Sequence, residues 1–181
     1  MLRADGFVHS LVFAALAAAG LPVAVTFAGV VLGAEGAARL YVIGAAGLYA
    51  IGLAPDRSRR VTVLAFAALA GTILALLPLD LHVTAIGAAG IVAFARGVLL
   101  ANLRARALAL EVIFGVAGLA VAGWFAHGGL LAHSLALWGY FLVQSGVFLC
   151  GERALGARAA ARDPFEVARA RLERLLEDDP A

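Results

Sequence analysis

The chain has a single cysteine, Cys150, and no lysine; its 14 basic residues are all arginine. One cysteine excludes an intramolecular disulfide, a CxxC redox pair and a cysteine-held iron–sulfur cluster within one chain. The absence of lysine removes the Walker A phosphate clamp and any pyridoxal or retinal Schiff base, and with them P-loop NTPases and rhodopsin-like pumps. Charge is scarce too. Only 14% of the 181 residues are charged, about half the usual share for soluble domains. The rest is overwhelmingly apolar, with 64% hydrophobic residues and a mean hydropathy of +0.98. A disordered chain, a nucleic-acid-binding domain and an ordinary soluble enzyme are thereby excluded. The expected fold is an all-α polytopic membrane bundle, with the lipid bilayer as its first partner.

Crossing hydrocarbon takes ~20 mostly apolar residues. Six runs approach that: Phe7–Leu32, Leu40–Leu53, Val61–Leu77, Val83–Leu100, Ala107–Phe125 and Leu130–Cys150. The first is long enough to need a tilt or a bend, and Pro22 in its middle is the expected kink. Arg3 and the Ala17–Ala19 triplet faintly resemble a secretory leader. The apolar stretch continues to Leu32, however, which favours a retained helix. The second run is short and gains length if Ala37 and Ala38 extend it across a snorkelling Arg39.

The arginines set the orientation. Arg3, the Asp56–Arg60 segment, Arg104, Arg106, Arg153, Arg158 and Arg162 all fall on one side if the runs alternate. The opposite side receives Glu35, Asp80, His82, His127 and His133, with Arg39 its single arginine. Positive residues stay inside, so both termini are expected in the cytoplasm of a bacterial-type inner membrane. Trp124, Phe125 and Tyr41 read as aromatic anchors at the outer interface. Internal repeats are weak: Ile43–Gly47 recurs as Ile86–Gly90, but an Ala/Gly-rich chain yields such matches by composition. Gly29 and Gly33 form the one strict GxxxG, a pattern that permits close helix contact.

The division expected is a transmembrane domain over residues 1–151 and a cytoplasmic tail over 152–181. Asp163, Pro164 and Glu166 make a helix start, with an N-cap, a proline at the first turn and an acid three residues on. In the helix that follows, 163–177, Phe165, Ala168, Leu172, Leu175 and Leu176 share one face and suit docking to a partner.

Two polar constellations stand out. Arg96 and Glu111 lie at similar depth in consecutive runs, near Gln144 of the sixth. An isolated charge in hydrocarbon is costly, so the two are expected to pair. The structural reading is an ion pair that fixes a hairpin, with Arg96 snorkelling; the functional one is a proton or anion relay. On the outer side, Asp80, His82, His127 and His133 are chemically suited to a metal, and paired histidines to haem. The sequence shows neither HExxH nor a His pair four residues apart, so no cofactor is expected and solvated histidines are the reading adopted. No serine elbow or acid pair points to an enzyme.

The function expected is that of a non-catalytic membrane component: an accessory subunit, scaffold or assembly factor docking another membrane or cytoplasmic protein, or a second copy of itself, through the tail. The first alternative is a small transporter or channel, supported by Arg96, Glu111, Gln144, Tyr49 and Asn102. The second is a protein binding metal or haem on its outer, periplasmic face.

Overall fold

Residue 33 decides how the first third of the chain is laid out. In the computed structural model, which describes residues 4–54, 56–100, 105–125 and 127–159, helix α1 (Ala4–Gly52) is interrupted at Gly33, with φ 75° and ψ 157°. The helical arms on either side fold back on each other. Tyr41 Oη donates to Ala17 O at 2.8 Å, Ser10 Oγ lies 3.3 Å from Tyr49 Oη, and Phe13 packs on Tyr49 at 5.2 Å between ring centroids. Contacts whose residue numbers rise on one arm as they fall on the other define an antiparallel hairpin. The bend therefore comes from Gly33 and not from Pro22, which stays inside the first arm with its carbonyl accepting from Thr26 Oγ1 at 2.8 Å. The strict GxxxG is likewise no helix-contact face, because its second glycine is the break.

The remaining helices are α2 (Arg57–Leu76), α3 (Leu81–Phe94), α4 (Ala105–Phe125) and α5 (Leu130–Ala159), with a π-helical turn, Ala95–Leu100, continuing α3. The same numerical test shows the second arm of α1 and α2, α2 and α3, and α4 and α5 running in opposite directions. Gly47 faces Ala67 and Gly71 faces Ile43; Gly87 faces Leu74 while Phe66 stacks on Phe94; Gly118 faces Tyr140 and Gly146 faces Phe114. Two helices begin on aspartate caps. Asp56 accepts from Arg59 N–H and Asp80 from Val83 N–H, both at 2.8 Å, filling a first-turn donor that the helix leaves unpaired. At the other end of α2, Arg39 reaches across from α1. Its Nη2 donates to Leu77 O at 2.6 Å and its Nε to Thr84 Oγ1 at 3.3 Å, so it ties three helices together and does not simply snorkel.

Side-chain size is sorted inside out. The buried positions are largely alanine, among them Ala14, Ala38, Ala46, Ala50, Ala88 and Ala95. Large apolar side chains point outward instead: Phe27 is 76% exposed, Val30 86% and Leu76 80%. Water would penalise such a surface. In hydrocarbon, leucine gains nothing by turning inward, and small residues let helices approach closely. Helices Phe7–Gly52, Arg57–Leu76 and Leu130–Phe148 are long and apolar enough to cross a membrane, with shorter apolar helices at Leu81–Gly97 and Ala109–Phe125. The described residues are helical throughout apart from short connections, and their apolar helices make this a membrane protein. Trp124, 81% exposed, suits an interfacial anchor; Tyr41 does not, since its hydroxyl is turned inward to Ala17. From Phe148 on, the chain forms a second compact unit whose described part is the helical backbone to Ala159.

Candidate functional site: a buried ion pair next to an apolar cavity

Arg96 sits in the π-helical turn that continues α3, where the widened backbone adds a residue to the turn. Its Nε lies 2.9 Å from Glu111 Oε1 of α4, and both residues are 7% exposed. Arg96 Nη1 donates to Gln144 Oε1 of α5 at 2.9 Å, and Gln144 Nε2 donates to Phe114 O of α4 at 3.2 Å. The amide orientation is fixed chemically, since guanidinium only donates and a backbone carbonyl only accepts. Arg96, Glu111 and Gln144 thus form one network joining three helices, and Arg96 does not snorkel to the interface.

The network has neighbours. Tyr49 and Tyr140 are within electrostatic reach of both Arg96 and Glu111, and Ser10 extends the polar group to the first arm of α1. Phe13, Tyr49, Phe141 and Tyr140 form a chain of rings with centroids 5.0–5.3 Å apart. One atom in the network lacks a partner: Glu111 Oε2 is buried with no hydrogen bond among the described residues. A buried, unpaired carboxylate oxygen is rare enough in native proteins to need a cause.

Beside this network is a cavity of about 300 Å³ between both arms of α1, α3, α4 and α5. Leu21, Val42, Leu119 and Leu137 give it apolar walls, and the polar side chains lining it are His82, His133 and Tyr140. Ile86 of α3 and Gly123 of α4 are exposed members of the lining, so the cavity opens between those two helices. Leu137, Tyr140, Phe141 and Gln144 recur at helical spacing along α5, which places the polar network one turn beyond the cavity's inner end.

The outer-face candidates separate. His82 and His133 line the same cavity; Asp80 is occupied as an N-cap, and His127 lies in the bend before α5. Among the described residues no three His, Cys, Asp or Glu side chains converge as a metal site requires. Asn102 and the tail stripe of Phe165, Ala168, Leu172, Leu175 and Leu176 lie outside the described residues. Sequence reasoning missed the cavity and the clamp made by Arg39. The aspartate caps were legible in principle, since Asp56 and Asp80 each precede an apolar run. Compared with known family models, curated proteins and solved structures, the chain gives no match.

Proposed function

We propose that the protein is a non-catalytic component of a bacterial-type cytoplasmic membrane: a six-span bundle with both termini inside that serves as accessory subunit, scaffold or assembly factor. One observation carries this reading. The strongest polar groups of the bundle engage each other, Arg96 with Glu111 and Gln144, across three helices. A solute path needs polar groups presented to a lumen at mid-membrane. Here the interior is mostly alanine, leucine and valine.

The proposed span count is supported by six helical segments, the two arms of α1 and α2 to α5, together with the arginine asymmetry. A reporter active only in the cytoplasm is expected to give signal when fused after residue 58 or 105, and none near residue 35, 80 or 129. Signal at residue 129 would overturn the six-span arrangement.

Docking through the tail is the second part of the proposal. A helix of this length is marginal alone in water, so the Phe165–Leu176 stripe needs a cover. A face mixing Arg169, Glu173, Arg174 and Glu177 is poorly suited to an anionic membrane surface, which selects basic residues. A protein partner or a second copy suits it better. Leu172→Glu with Leu176→Glu is expected to leave the bundle folded while abolishing co-purification of the partner or the cross-linked dimer. Unchanged pull-down and unchanged size would remove the scaffold reading's main support.

A further inference from the structure

We propose that the cavity between α3, α4 and α5 is a binding site for a membrane-soluble quinol, entered sideways from the bilayer. This inference is independent of the tail.

The walls come first. A pocket of about 300 Å³ lined by leucine, valine, isoleucine and alanine suits an apolar body, and its mouth at Ile86 and Gly123 opens between helices whose outward faces are themselves apolar. A ligand dissolved in hydrocarbon reaches it without crossing water.

The polar groups then select the head. His133 Nδ1 lies 3.1 Å from Gly129 O. Nδ1 is engaged there, so Nε2 is the ring nitrogen left to meet a ligand. A hydroxyl, which both donates and accepts, is the group that matches it. Tyr140, seven residues further along α5, lines the inner end of the cavity, is 7% exposed, and its hydroxyl has no hydrogen-bond partner among the described residues. An acyl chain would place a methyl group at that end and leave the hydroxyl unanswered. A quinol places an oxygen there as well. His82, on the first turn of α3, adds a further polar group to the lining. The inference concerns binding alone, and no electron transfer is assigned to the site.

The test is titration of a decyl-substituted benzoquinol into the purified full-length protein in lipid nanodiscs, read by calorimetry. Its bis-methyl ether serves as the probe with no hydroxyl to donate. Saturable binding of the quinol is expected, with the ether at least about tenfold weaker, as the loss of one or two hydrogen bonds to neutral groups requires. Tyr140→Phe keeps the ring and removes the hydroxyl, and should weaken the quinol by about tenfold while barely affecting the ether. Gly123→Leu narrows the mouth. A Cβ added there meets no heavy atom within 4 Å, so the bundle folds and binding is lost. Equal affinity for quinol and ether would overturn the proposal, as would undiminished binding by Gly123→Leu, which would mean simple partitioning into lipid. Absence of saturable heat with wild-type protein would overturn it too, and a phospholipid retained in the cavity against excess quinol would identify an acyl chain as the occupant.

Discussion

Glu111→Ala is expected to destabilise the bundle by about 3–5 kcal/mol, and Arg96→Met with Glu111→Leu by clearly less. The single change leaves the Arg96 guanidinium buried with its carboxylate gone, while the neutral Gln144 Oε1 still accepts from Nη1. An uncompensated charge in a medium of low dielectric is among the few causes of very large mutational effects. The double change removes both charges and fills most of the volume. Its expected cost is small because the native pair is not fully satisfied. Attraction repays desolvation only when the remaining lone pairs are hydrogen-bonded, and Glu111 Oε2 has no partner among the described residues. Glu111→Gln should fall between, since the amide oxygen still accepts from Arg96 Nε. Unfolding in mixed micelles as the SDS fraction is raised gives the comparison, arranged as a double-mutant cycle. Equal loss in the single and double variants would mean that the pair is not what holds the three helices together.

The ion pair was legible in the sequence because depth and cost left little choice. Two opposite charges at matching positions of consecutive apolar runs have few alternatives to each other. Gln144 could be named for the same reason, as a polar residue of the sixth run near that depth. The cavity could not be read. It forms between both arms of α1, α3, α4 and α5, and its lining draws a few residues from each of them. Alanine is spread so evenly along the chain that periodicity does not distinguish a wall from a packed seam. The role of Arg39 was hidden for another reason. Position alone marked it as interfacial, whereas its acceptors, Leu77 O and Thr84 Oγ1, become neighbours only once α2 and α3 pack against the second arm of α1.

Within the first run a sequence rule pointed to a residue, Pro22, that the chain keeps in helical conformation. Proline removes a backbone donor and is the usual cause of a kink. Within a membrane helix, serine and threonine hydroxyls and neighbouring helices accommodate proline, as Thr26 does here by donating to Pro22 O. Gly33 is different in kind, because with φ 75° and ψ 157° it turns the chain back on itself instead of bending a helix. The sequence bracketed the reversal by ending the first run at Leu32 and starting the second at Leu40, but nothing in it singled out Gly33 as the residue that turns the chain.

The second large effect is therefore expected at Gly33. Its backbone combines positive φ with extended ψ, a region that is essentially confined to glycine. Any side chain there costs about 1–3 kcal/mol through backbone strain alone. The position isolates that term, because an added Cβ at Gly33 meets nothing within 4 Å and so introduces no clash. Gly33→Ala and Gly33→Asn are expected to destabilise equally. Asparagine rescues positive φ when ψ is near the left-handed helical value, as at an ordinary helix C-cap, but not when ψ is extended. Strain relieved by straightening the chain would also pull apart the two arms, which hold Tyr41 on Ala17 O and Ser10 against Tyr49. Cysteine pairs at positions 13 and 49, whose rings now touch, should cross-link efficiently in the parent and poorly in both variants. Gly29→Ala is the control. Its Cβ would make ordinary contacts from 3.6 Å, so stability and cross-linking should hold. If asparagine restored the parent's stability while alanine did not, the turn would be a left-handed helix cap, and the antiparallel packing of the first two arms would need a different origin.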